Sequence, residues 1–442
     1  MKTTLAEQQA LFSLLAHPNS PVGDLNAHPW HTLRWPNMLN SIDSNIFPYL
    51  HYVIKSRDLH ELISIPDASW HNLSTARQAT RLRQLCWSSQ IKKIANCMQD
   101  AQVPLIILKG GDIKYRLYPD PSTRPMVDLD LLVNPAQFNE AQLAMKSAGF
   151  KTRYEPHEET PKENKVKPWE ETKFYKIINQ EFYVVELKCK AGCNPSADPL
   201  VFEELLHRSQ PHSFITTTEA RVLSATDLLH YLSQHLIIEH SCSRGLMWLL
   251  DIRLLVEKMW DQIDWELLEK IDSSSPTLSA SHLAIHFSVP MLDVTSEKPI
   301  NSADNLNRLT ELAWQQFFAP SLISLPPPQL QDHYMGEGGR NYLKILIPRI
   351  KQWGSRQWSD SMGVKIHWWQ IPGLMFRRLN RDLKTFRASW NSGGLRPDII
   401  QGQIDDLKRA TQIQNLIEGD KSVDHHLRTT TQDLKLNHLN IR

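Results

Sequence analysis

The sequence predicts an α/β (α+β) protein: a small mixed-sheet domain flanked by N-terminal and C-terminal helical regions. Three observations carry that expectation. Short apolar runs rich in branched side chains, at 103–108 and 129–133, bracket a Lys109-Gly110-Gly111 turn, which reads as strand, turn, helix start and strand. A third run at 182–188 has the same strand character. By contrast, 74–100 holds neither proline nor glycine, and beyond Glu219 apolar residues recur every three or four positions, as amphipathic helices require.

At 442 residues the chain exceeds what one core usually organises, and composition divides it into 1–100 (helical), 101–215 (sheet domain), 216–325 (helical), 326–390 (basic and Trp-rich) and 391–442 (polar tail). Its 41% hydrophobic and 22% charged residues are ordinary for a globular protein, and the net charge of +1 names no partner. The opening segment reads as a helix rather than a signal peptide, because its apolar run is short and follows Glu7, Gln8 and Gln9. No apolar run reaches about eighteen residues, so no spanning helix is expected. Five scattered cysteines suit a reducing cytoplasm better than a disulfide framework.

Within 1–100, Pro36, Pro48 and Pro66 punctuate helices, and 74–100 is expected to be one long helix capped at Ser74 or Thr75. It leads into the strand at 103–108. The Gly pair that follows lies where a helix N-terminus presents unpaired N–H groups, a setting suited to phosphate, although a Gly pair after a strand is more often a plain turn. In Asp128-Leu129-Asp130 the period of two places both carboxylates on one strand face. Like charges that close favour a bound cation, and a hard divalent ion takes oxygen ligands; aspartates facing water on an edge strand are the alternative. Glu186 sits among apolar neighbours in the third run and needs a cation or hydrogen-bonding partner, for which Lys188 on the same strand face is one candidate. Asn134-Pro135 opens a helix ending at Gly149, and strands at 150–154 and 173–178 flank a charged insert at 155–171, read as a solvated loop or a substrate-contacting flap.

The Leu-Lys-Gly-Gly motif at 108–111, Leu117-Tyr118-Pro119, Arg124 and Asp128-Leu129-Asp130-Leu131-Leu132-Val133 together resemble the uncharacterised bacterial nucleotidyltransferases of the polymerase-β-like superfamily. The resemblance is specific over 103–133 and looser over 74–256. It implies that Lys109, Gly110, Gly111 and Arg124 bind a nucleoside triphosphate, and that Asp128, Asp130 and Glu186 are catalytic and hold Mg2+ or Mn2+. The implied activity is transfer of a nucleoside monophosphate from an NTP to a hydroxyl or phosphate acceptor, with release of pyrophosphate. Relatives tend to carry histidine two residues after the third acid, where this chain has Lys188. Lys109 and Arg124 are equally explicable as salt-bridge partners of the aspartates.

Beyond Glu219, Val222, Ala225, Leu229, Leu232 and Leu236 mark one helix and 246–259 another. His230, His235 and His240 are spaced by five, which on an α-helix turns about 140°, so no shared metal is expected of them. Asp251, amid apolar residues, calls for a partner among those histidines or Arg253, with closure over a nucleotide base as the alternative. The stretch 340–390 carries eleven Lys or Arg against two Asp, with five tryptophans. That mixture suits a polyanion or an anionic membrane surface, and a solvated helix packed on its Leu374, Leu379, Leu383 and Phe386 side is the alternative. A non-catalytic binding or regulatory protein acting through that stretch is the second functional class.

Overall fold

The computed structural model describes residues 11–12, 14–15, 34–152, 171–191, 201–215, 220–243, 245–273, 279–288, 303–317, 409, 412–413 and 416–417. The chain divides into two compact units, one of 1–161, 168–320 and 413–442, the other of 162–167 and 321–412; the account below concerns the first. The basic Trp-rich stretch, nearly all of the charged insert and Cys193 lie outside the described residues.

Helices α1 (Trp35–Ser41) and α2 (Phe47–Ser56) precede α3 (Asp67–Asp100). The last starts seven residues before the expected Ser74, because Pro66 supplies an extended boundary residue and Asp67 places negative charge in the first turn. Strand β1 (Leu105–Ile107), helix α4 (Gly110–Arg116) and strand β2 (Asp128–Val133) follow in the anticipated order. Then come α5 (Phe138–Ser147), β3 (Lys151–Thr152), β4 (Glu171–Ile178) and β5 (Glu181–Lys188). The Asn134 side chain accepts from Ala136 N–H at the entry to α5, and Gly149, at φ +86°, supplies the left-handed exit.

The remaining elements are α6 (Phe202–Arg208), β6 (Gln210–Pro211), β7 (Ala220–Val222), α7 (Ala225–Gln234), α8 (Leu246–Met259), α9 (Trp265–Ser273), α10 (Ala280–Ser288) and α11 (Ala303–Phe317). The seven strands form one mixed sheet in the order β3-β4-β5-β2-β1-β7-β6. β2 runs antiparallel to β1 and parallel to β5, and β1 runs parallel to β7.

The strand period separates two cores. Leu129, Leu131 and Val133 join Trp87 and Ile91 of α3 and Phe138 of α5 on one face. Ile106, Leu108 and Leu132 face the other way, toward a core built with Leu229 of α7 and Leu250 of α8. Ile413 and Ile417, in the stretch read as a tail, are buried in this second core.

Between α7 and α8 the backbone forms a π turn, His235–Glu239. This overturns the expectation for the spaced histidines. Hydrogen bonds running i to i+5 bring residues five apart onto one side, and the His235 and His240 rings lie 4.4 Å apart. His230 points elsewhere, its Nδ1 2.7 Å from buried Asp272.

Candidate active site

β2 and β5 are in parallel register with Asp130 beside Glu186, and the next strand places Lys173 opposite Glu186. Leu108 N–H donates to the Asp130 carbonyl, so one row across the sheet reads Leu108, Asp130, Glu186, Lys173. Asp128 shares the Asp130 face by the two-residue period. Three acids anticipated from separate segments therefore meet on one surface.

The structure also shows what balances them. Lys188 Nζ lies 2.7 Å from Asp130 Oδ1 and 3.0 Å from Glu186 Oε2, Lys109 Nζ lies 3.5 Å from Asp130 Oδ2, and Lys173 pairs with Glu186. Three carboxylates thus face three ammonium groups. Asp130 is 3% exposed, so both of its oxygens meet these ammonium groups away from water. Burial pushes the Asp130 carboxyl up, but Lys109 and Lys188 outweigh it and hold the group below the usual carboxylate range. Asp128 behaves oppositely: burial, then the charges of Asp130 and Glu186, raise it. Lys188 is kept firmly protonated, since its two acids overcome the cost of burial.

Lys109 precedes α4 at φ 45°, ψ −128°, a left-handed conformation rare for a residue with a side chain. The two glycines after it serve close packing. A Cβ on Gly111 would meet Ile107 Cγ2 and Leu129 Cδ1, each at 2.6 Å, and one on Gly110 would meet Arg124 Nη1 at 2.8 Å. Gly111 N–H donates to the Leu108 carbonyl and Asp112 N–H to that of Lys109. His212 Nε2 donates to the Gly111 carbonyl at 3.2 Å, while its Nδ1 accepts from Phe214 and Ile215 N–H.

Arg124 does not turn to Asp128 or Asp130. Its Nη2 donates to Asp251 Oδ2 at 2.7 Å and its Nε to Oδ1 at 3.3 Å, while Tyr118 OH donates to Oδ1 at 2.6 Å. The buried carboxylate of α8 is thereby clasped to the segment between α4 and β2, rather than to Arg253 or a histidine. Burial disfavours the Arg124 charge, but Asp251 holds it well above its ordinary range. Arg124 Nη1 donates to the Pro125 carbonyl beside Gly110. Lys109, Asp128, Asp130 and Glu186 are thus brought together, Gly110 and Gly111 form the adjoining turn, and Arg124 stands behind it.

Sequence reasoning missed Lys173 and His212 here, and it placed Tyr118 in the Leu117-Tyr118-Pro119 motif without its bond to Asp251. The β4–β5 register would have pointed to Lys173, but nothing local marks His212.

These residues lie on an arrangement for which no curated protein and no solved structure is found as a match. A family model does match: that described as an uncharacterised nucleotidyltransferase aligns with residues 33–293, more than half of the chain and inclusive of every site residue above, and the chain belongs to that family.

Proposed function

We propose that the chain transfers a nucleoside monophosphate from an NTP to a hydroxyl or phosphate acceptor, using a divalent ion, Mg2+ or Mn2+, held by Asp128, Asp130 and Glu186. The observation that carries this reading is the convergence of those three acids on one sheet face, in the parallel register that sets Asp130 beside Glu186. An all-oxygen donor set suits a hard cation, and a cation there would offset the burial and the neighbouring Asp130 and Glu186 charges that raise Asp128. Such an ion would stabilise charge on the attacking and leaving oxygens of an in-line displacement.

The chain's own groups do the rest. The acceptor oxygen forms a bond to the α-phosphorus as the bond to the bridging oxygen breaks, and pyrophosphate departs. Glu186 takes the acceptor hydroxyl's proton. Lys109 and Lys188, which neutralise the acids at 3.5 and 2.7 Å, are close enough to turn to phosphate charge when a cation takes over the carboxylates. Lys109, Gly110 and Gly111 form the triphosphate-binding turn, and Arg124 is a positioning residue that fixes it through Gly110.

One observation favours the second reading, a non-catalytic binding protein: Lys188 bridges Asp130 and Glu186, neutralising the pair a metal would use. Isothermal titration of each NTP, with Mg2+ or with chelator, against the chain and its Asp128→Asn, Asp130→Asn variant separates the two. Mg2+-dependent binding of a nucleotide that the folded variant loses supports transfer. A folded wild-type chain that binds no nucleotide under either condition overturns it.

A further inference from the structure

We propose that His235, Glu239 and His240 form a second site, for a borderline divalent transition ion of the Zn2+ class, distinct from the carboxylate face. Nothing in this rests on nucleotidyl transfer. His235 Nδ1 lies 2.7 Å from Glu239 Oε2, His240 Nε2 lies 3.9 Å from Glu239 Oε1, and one donor atom from each of the three residues can be chosen with all within 4.8 Å of one another. Two imidazoles and a carboxylate are the donor set of zinc centres that keep one position open, and donors about 2.0–2.2 Å from a tetrahedral ion stand about 3.3 Å apart. The observed separations bracket that value.

The backbone is built to bring these donors together. An α-helical continuation of α7 would set His235 and His240 on different sides, and the π turn abolishes that separation. Ser241 and Cys242 follow at φ 46° and 63°, unfavourable for residues with side chains. Cys242 N–H donates to the Leu236 carbonyl, and a Cβ on Gly245 would meet Leu236 Cδ1 at 2.4 Å, so the irregular turn is held from both ends. The Trp248 ring packs 4.5 Å from His235 and 4.6 Å from His240, fixing both imidazole planes. An irregular turn maintained at such conformational cost is a feature of functional sites. A plain His235–Glu239 ion pair would need no π turn, since residues four apart already share a face of an α-helix.

Burial keeps both imidazoles unprotonated at neutral pH, the form that ligates, with His240 lowered to about 4. The charges of Lys109 and Asp130 act on His235, and those of Lys109 and Lys188 on His240, so the site borders the carboxylate face. An oxygen donor suits its open position.

The full chain is titrated with Zn2+ alone, in competition with a chromophoric chelator, beside His240→Gln and Glu239→Gln, at positions 37% and 45% exposed. The Asp128→Asn, Asp130→Asn variant is the control. One equivalent of Zn2+ beyond any taken by the carboxylate face is expected to be held against the chelator, weakened at least about tenfold by either single substitution and retained in the control, where loss of the Asp130 charge changes it by less than that. Independently of any variant's folding, one equivalent of Co2+ is expected to give the intense visible bands of a four- or five-coordinate ion. The proposal is overturned by a folded wild-type chain that leaves Zn2+ with the chelator or Co2+ with its weak aqueous spectrum. It is equally overturned if neither single substitution weakens any bound equivalent, or if that equivalent is lost in the control.

Discussion

Replacing Asp251 by alanine removes the carboxylate that both Arg124 and Tyr118 address, leaving the buried Arg124 guanidinium without a counter-charge. Hydrogen bonds to a charged group contribute about 1.5–3 kcal/mol each, so the three contacts bound the loss from above at about 9 kcal/mol. The variant also escapes the cost of burying Asp251. Breaking a buried pair by deleting one partner costs about 3–5 kcal/mol on balance, and that is the magnitude expected here. At about 2–4 °C per kcal/mol, the melting temperature should fall by about 6–20 °C. Urea unfolding of Asp251→Ala, Arg124→Met and the Arg124→Met, Asp251→Leu double variant supplies the check. The double variant should recover most of the loss, because no charge is left stranded. A loss below about 1 kcal/mol in Asp251→Ala, or additive losses in the double variant, would refute the clasp.

Gly111→Ala should destabilise by about 1–3 kcal/mol, since its Cβ would stand 2.6 Å from two buried side chains; a melting curve that does not move would show that Ile107 and Leu129 can give way. His212 is lowered to about 4, chiefly by burial, so the stability it contributes is present above its unfolded value near 6.5 and is lost as pH falls through about 4. Protonating Nδ1 breaks two main-chain hydrogen bonds, and the expected loss is about 3 kcal/mol between those pH values. Urea midpoints of His212→Gln should show a flatter profile over that window. Lys188→Met removes the cation shared by Asp130 and Glu186, so Mn2+ affinity at the carboxylates, read by electron paramagnetic resonance, should rise about tenfold; unchanged affinity would show that the lysine does not compete with metal.

What could be read without coordinates was whatever a short period encodes. The alternation in β2 set Asp128 and Asp130 on one face, and the apolar spacing of 246–259 defined α8 to the residue. The glycine pair was correctly located but incompletely explained, because its crowding comes from Ile107, Leu129 and Arg124, whose proximity only the folded sheet creates. Arg124 and Asp251 are separated by 127 positions, and no local pattern joins them. The histidine spacing misled for a different reason. A turn of 100° per residue was assumed where the backbone widens to a π turn, and no propensity of His235–Glu239 announces that change.

Lys109 stands at φ 45°, where a glycine would sit at ease and a side chain costs about 1–3 kcal/mol. Its ammonium group nevertheless reaches Asp130 and the face of the Tyr231 ring. Selection for thermal resilience alone would therefore drive this position toward glycine, trading the site's charge for a relaxed backbone. A library of this chain sorted only by folding would enrich variants stripped of that cation, so breeding for robustness and breeding for activity pull one codon in opposite directions.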